Sequence, residues 1–173
     1  RREATFRAEA HRLDLGILDP DRDAQVRREE LGPGCYLLHG MMSPKECRAL
    51  VQVAEGLGFT HAGLAIGDDT YRVNLAVRNN LRVVIDDHAL AEALWPRVRG
   101  RVDLRHHGTP VQGLNWRFRV YRYEEGQRYF PHYDVRMRLP VGETRFSLVI
   151  YLSDAFEGGE TRYHDDKSGT LQA

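Results

Sequence analysis

Two side chains able to grip a metal ion stand two positions apart in the run Tyr129-Phe130-Pro131-His132-Tyr133-Asp134. On an extended backbone, residues i and i+2 point to the same face, so the imidazole of His132 and the carboxylate of Asp134 can converge on one ion without bending the chain. With one further histidine, such a pair occupies one face of the ion and leaves the other open to substrate and oxygen, the 2-His-1-carboxylate arrangement of non-haem iron sites. The spacing is not selective by itself. In a chain holding 8 His, roughly 0.6 His-x-Asp pairs arise by chance. A second one, His164-x-Asp166, lies in the polar run His164-Asp165-Asp166-Lys167-Ser168-Gly169, which reads as a solvated loop. The first pair differs in context: it follows a strand and a glycine turn, lies among aromatic residues, and precedes an apolar strand able to form an opposing wall.

The elements that must position His132 and Asp134 read as helices first and strands later. Ser43-Pro44-Lys45-Glu46 combines an N-cap serine, proline at the first helical position and glutamate at N3, so a helix is predicted from Pro44 to about Glu55. Its face is Cys47, Leu50, Val51 and Ala54, with Gly56 and Gly58 as stops. A second helix is expected after an Asp86 or Asp87 cap, carrying Leu90, Ala91 and Leu94 to Trp95, with Pro96 ending or kinking it. Upstream, residues 1–31 read as a polar extension with a short helix over Ala24 to Leu31, and Cys35 to Leu38 as a short strand. The Gly- and Asp-rich segment Thr60 to Thr70 reads as a loop. From Leu114 the period changes to two: Trp116, Phe118 and Val120 alternate with Arg117, Arg119 and Tyr121, and Glu124-Glu125-Gly126-Gln127 turns the chain. Arg128 to Val135 is expected to be extended, Leu139 to Gly142 a break, Arg145 to Leu152 a buried strand, and Thr161 to Tyr163 a further extended segment. The pattern implies an α+β class, an antiparallel sandwich or barrel supported by helices.

Composition bounds the function classes. A chain of 173 residues is expected to form one main domain, residues 32–173, after the extension. Its 25 basic and 25 acidic residues cancel, so no net field draws it to nucleic acid or an anionic membrane. Of the 25 basic residues only Lys45 and Lys167 are lysine, a whole-chain bias that weakens any single arginine as an anion-binding signal. Cys35 and Cys47 form neither a CxxC nor a disulfide framework, which fits a reducing, cytoplasmic setting. No apolar run approaches the ~18 residues of a membrane helix or forms a signal peptide.

Three ordered blocks carry a resemblance to a known family. Tyr121-Arg122-Tyr123-Glu124-Glu125-Gly126-Gln127-Arg128-Tyr129-Phe130-Pro131-His132-Tyr133-Asp134 is followed by Phe146-Ser147-Leu148-Val149-Ile150-Tyr151-Leu152-Ser153-Asp154 and by Glu157-Gly158-Gly159-Glu160-Thr161. Together these blocks, over about residues 113–163, resemble the prolyl 4-hydroxylase-like branch of the Fe(II)- and 2-oxoglutarate-dependent dioxygenases. The resemblance implies a double-stranded β-helix, or jelly roll, with supporting N-terminal helices. It implies Fe(II) held by His132 and Asp134, 2-oxoglutarate as co-substrate with Tyr123 lining its pocket and Tyr151 bonding its far carboxylate, and O2, with ascorbate as an additional candidate. A phenol suits that contact because it donates a hydrogen bond while its ring packs apolar walls. Gly158 and Gly159 are expected to form a turn and Thr161 to line the barrel. Ser153 stands where the family's pattern has Asn, a position of turn chemistry that serine can also serve.

The family pattern also places a second histidine, and a Lys or Arg for the far carboxylate, beyond the Gly-Gly-Glu-Thr block. This sequence ends at Ala173 before either, and the expectation is that the last strands of the barrel are missing from it. His164, the remaining histidine after Asp134, follows that block too closely to be expected as the third ligand. The implied reaction hydroxylates an unactivated C–H bond of a peptide or small molecule. Substrate would approach over residues 60–70 and 136–142, where Arg136 and Arg138 read as ordinary surface arginines before substrate contacts. Two rivals stand beside it: a catalytically incomplete jelly-roll module that binds a peptide without turnover, and, more weakly, a zinc hydrolase, for which no general base accompanies the pair. Neither substrate identity nor oligomeric state follows from the sequence.

Overall fold

A computed structural model describes residues 5–7, 9–19, 25–67, 70–165 and 169–172, with side chains through Tyr163. In chain order the elements are β1 (Thr5–Arg7), β2 (His11–Arg12), β3 (Arg27–Gly32), β4 (Cys35–His39), α1 (Pro44–Leu57), β5 (Thr60–His61), β6 (Leu64–Gly67), β7 (Thr70–Arg72), β8 (Leu81–Asp86) and α2 (His88–Val98). Then follow β9 (Arg105–His106), β10 (Thr109–Pro110), β11 (Arg117–Arg122), β12 (Arg138–Leu139), β13 (Gly142–Glu143), β14 (Arg162–Asp165) and β15 (Gly169–Gln172). The class is α+β, as expected. The described strands form a sheet of four around β8, a sheet of three in the order β1-β7-β6, and two-stranded pairs, and do not by themselves close a jelly roll.

Local chemistry accounts for both helices. Ser43 and Glu46 form the reciprocal capping box, each side chain serving the other residue's backbone N–H, and Gly58 closes α1. Asp87 caps α2 by accepting from the Leu90 N–H at 2.8 Å, while its other oxygen accepts from the Leu15 N–H at 2.7 Å. Pro96 lies inside α2 rather than ending it, because the helix runs on to Val98.

The core lies between the helices and β8. Leu50 and Ala54 of α1, Leu90, Leu94 and Val98 of α2, Val83 and Ile85 of β8 and Val120 of β11 pack with Met41 and Met42. β11 runs antiparallel to β8, and the register sets Arg117 opposite Asp86, where the guanidinium grips the carboxylate through two bonds of 2.8 Å. That hydrogen bonding holds the Asp86 carboxyl below its ordinary range against the opposing effect of burial. Beneath the layer, Arg97 and Glu46 form a buried pair at 2.7 Å, with Arg97 also donating to the carbonyls of Met41 and Asp19. Burial alone would raise the Glu46 pKa, but hydrogen bonds from Arg97 and from the Ser43 and Asp19 backbone bring it down to about 2.

Several sequence expectations give way here. Residues 5–7 and 11–12, expected within an extension, pair with β7 and β8, and Leu13, Leu15, Ile17 and Leu18 pack against the core. Of the segment Ala24 to Leu31, expected to be helical, Ala24 lies outside the described residues and the part from Arg27 forms β3, because residues 27–32 find a partner ladder in β4. The segment Thr60 to Thr70, expected to be a loop, supplies β5 against β8 and β6 against β7. Conversely, Arg145–Leu152 is no strand: Ile150 and Leu152 pack on the core, but no described strand lies alongside to complete a hydrogen-bond ladder, and Val149 and Tyr151 face outward. Tyr163 and its neighbours form β14 against β15; Asp166 lies outside the described residues.

Candidate functional site

The site hangs on the segment that leaves the four-stranded sheet. β11 carries the chain out through Tyr121 to Tyr123, and a turn closed by the Gln127 N–H on the Glu124 carbonyl reverses it, with Gly126 in the left-handed region at φ 73°. The returning segment docks on residues 77–80. The Phe130 N–H donates to the Val77 carbonyl at 3.1 Å, the Arg128 N–H to Asn79 Oδ1 at 2.7 Å, and Arg78 and Tyr129 share an isolated bridge. His132 and Asp134 therefore emerge from a backbone pinned two residues upstream.

The two side chains turn to one side, as their spacing requires. His132 Nε2 lies 3.3 Å from Asp134 Oδ1. Nδ1 of His132 donates to the Phe130 carbonyl at 2.8 Å, which leaves Nε2 as the ring nitrogen that faces Asp134. The other oxygen of Asp134 accepts from the Ser147 hydroxyl, so Oδ1 is the one turned to the imidazole. Both groups reach solvent, with side-chain exposures of 37% and 63%.

This donor set fits one first-row metal ion. With bonds of about 2.1 Å, as for zinc, two donors at right angles stand about 3 Å apart, close to the separation found. Each side chain is also held by a second partner, Phe130 for the imidazole and Ser147 for the carboxylate, the kind of contact that fixes the orientation of a metal ligand. Among the described residues no group of three His, Cys, Asp or Glu side chains gathers around one point, and His132 and Asp134 meet as a pair. His164 lies on β14, and its side chain is outside the description.

The two tyrosines go to different places. Burial raises the Tyr123 pKa, offset by the charge of Arg78 beside it, so its phenol remains a neutral donor. Tyr151 is turned to the Gly-Gly-Glu-Thr block, where its hydroxyl meets Thr161 Oγ1 at 2.5 Å and accepts from the Thr161 N–H at 3.1 Å. Tyr163 of β14 has its pKa raised by burial first and then by the neighbouring charges of Cys35, Tyr151 and Asp134.

Sequence reading missed Arg78 and Ser147. Arg78 is almost fully buried, with its guanidinium carbon 4.5 Å from the Tyr121 ring centre and 4.2 Å from that of Tyr129, and its Nε donates to Asn80 Oδ1 at 2.9 Å. The only signal was the run Arg78-Asn79-Asn80, whose three polar side chains precede an apolar strand.

Comparison with known proteins bears directly on this geometry. The family model described as 2OG-Fe(II) oxygenase superfamily matches residues 118–173, the stretch that holds β11 from its second residue on, His132, Asp134 and Tyr151. Over 162 residues, 90% of this chain, the sequence is 27% identical to "Probable prolyl 4-hydroxylase 6" of Arabidopsis thaliana. Over these stretches the chain is similar to the prolyl 4-hydroxylase-like oxygenases. It spans about half, 53%, of the length of that curated relative. No solved structure matches the chain. Among the described residues no helix is long and apolar enough to cross a membrane.

Proposed function

We propose that the chain carries the iron- and 2-oxoglutarate-binding part of a dioxygenase that hydroxylates an unactivated C–H bond of a peptide or small molecule. The observation that carries this reading is the convergence of His132 Nε2 and Asp134 Oδ1 at 3.3 Å within the stretch matched by the oxygenase family. The reaction balances as one C–H substrate, one 2-oxoglutarate and one O2 giving the alcohol, succinate and CO2. Bound Fe(II) supplies the activation of O2, with ascorbate as a supporting reductant.

The protein's own residues orient and exclude. His132 presents Nε2 because Nδ1 is engaged by Phe130, and Asp134 presents Oδ1 because Ser147 occupies Oδ2. Tyr123 lines the co-substrate pocket as a neutral phenol. Tyr151 contacts the far carboxylate of 2-oxoglutarate, which requires its hydroxyl to exchange or share Thr161. The catalytic unit is read as residues 32–173 in a jelly-roll frame, with substrate approaching past the β12–β13 hairpin.

Succinate release tests the reading. With Fe(II), 2-oxoglutarate, air and pools of peptides or metabolites, the protein is expected to release succinate in step with substrate hydroxylation, and both His132→Ala and Asp134→Ala are expected to abolish it. Substrate capture without succinate, unaffected by chelation of iron, would instead identify a binding module and overturn the oxygenase.

A further inference from the structure

A buried guanidinium, a phenol and the imidazole of His132 form a continuous stack. Arg78 is 6% exposed and sits 4.2 Å above the Tyr129 ring. Tyr129 in turn stacks on His132, with ring centres 3.6 Å apart and planes 17° from parallel. On its far side Arg78 meets Tyr121 of β11 at 4.5 Å, and its Nε is tied to Asn80, itself fully buried and donating to the Leu81 carbonyl at 3.1 Å. The stack is thus anchored in β8 and β11, the most buried strands of the sheet, and ends at an exposed histidine.

We propose that Arg78 is a positioning residue that acts through Tyr129 to hold the His132 ring in its metal-facing orientation. The exposed segment has few constraints of its own. Residues 131–137 form no ladder, and the hydrogen bond to Phe130 fixes where Nδ1 points but leaves the ring free to tilt about it. Packing one face of the imidazole against Tyr129 removes that tilt. Tyr129 is itself only half-buried, so its ring needs a partner on the other face, and a planar cation supplies one by attraction to the ring's negative face. A guanidinium is suited to this because it stacks flat while its Nε remains bonded to Asn80. The buried cation is therefore spent on geometry: rigid strands, through two stacked groups, confer order on a ligand that lies outside the sheet.

The inference rests on the reading of His132 as a metal ligand, and two readouts separate them. The first needs no metal. Proton NMR of the His132 ring is expected to show its protons shifted upfield by the face of Tyr129; Tyr129→Phe keeps that shift, while Tyr129→Leu abolishes it. Arg78→Met is expected to move the resonances most of the way towards the Tyr129→Leu values, and Arg78→Lys part of the way. The second readout is the affinity for Co(II), followed by its visible absorption, with helix content checked in parallel by circular dichroism. Loss of an orienting partner weakens metal binding by about 10- to 100-fold, so Tyr129→Leu and Arg78→Met are expected in that range and Tyr129→Phe at the wild-type value. If removal of the buried arginine unfolds the chain, Arg78→Lys retains the charge and gives the same comparison. Unchanged His132 resonances in the Arg78 variant that folds would overturn the proposal. Wild-type Co(II) affinity in His132→Ala would instead overturn the metal reading while leaving the stack to be judged by the NMR shifts alone.

Discussion

The sheet and helices around β8 and the segment from Arg128 to Leu152 are built on opposite principles. In the first, the carboxylates drawn into the packed layers have partners: Glu46 meets Arg97, the half-buried Asp86 meets Arg117, and Asp87 satisfies two backbone N–H groups at once. In the second, Tyr133, Val135, Phe146, Leu148 and Val149 are exposed, and the backbone runs without a ladder apart from the β12–β13 hairpin. The chemistry-bearing pair sits in the open region and is steadied by contacts that reach back to the closed one. This arrangement predicts that stability and the proposed function are separable in this molecule. Substitutions in the first region should unfold it, and substitutions in the second should disarm it while leaving it folded.

The buried ion pair gives the largest expected effect. Glu46→Ala strands the Arg97 guanidinium without its carboxylate and should cost about 3–5 kcal/mol in urea unfolding, whereas His132→Ala should change stability by no more than about 0.5 kcal/mol. Comparable losses from the two variants would erase the distinction between the regions. Core packing comes next: Leu90 is fully buried, and Leu90→Ala should cost about 2–5 kcal/mol, against a change near zero for Val149→Ala. Ser43→Ala, which removes half of the capping box, should cost about 1 kcal/mol by the same measurement.

Acid offers a further way to sharpen the comparison. The Glu46 carboxyl is depressed from 4.5 to about 2 on folding, so the unfolded chain binds a proton first as pH falls. Its contribution to stability is complete above pH 4.5, declines below it, and is gone once pH passes below about 2. Urea midpoints of the wild type should fall across that window, and those of Glu46→Gln should fall less steeply. Equal slopes would show that another group controls acid sensitivity.

How much of this could be read from the sequence follows the same division. Both helices were legible because their signals are local: Ser43, Pro44 and Glu46 cap one, Asp87 caps the other, and the apolar spacing marks the buried faces. The His132 and Asp134 pair was legible because a period of two operates even without a ladder. The strand Leu81–Asp86 was missed, although Val83-Val84-Ile85 is a continuous β-branched run, because such a run has no alternation to reveal it. Arg145–Leu152 was misread for the complementary reason: β propensity names a preference, and only a neighbouring strand turns it into a sheet. Arg78 was hidden among 23 arginines, since what distinguishes it is the pair of tyrosine faces around it, which the order of residues does not reveal.

The central claim is that His132 and Asp134 together hold an iron ion to which 2-oxoglutarate binds. Titrating the protein with Fe(II) and 2-oxoglutarate under anaerobic conditions tests it most directly, because the two bind together with a weak visible charge-transfer absorption. The account predicts that this band appears with the wild type and disappears in both His132→Ala and Asp134→Ala, with the fold of each variant intact. A band that persists undiminished in either variant, or none with the wild type, would contradict it.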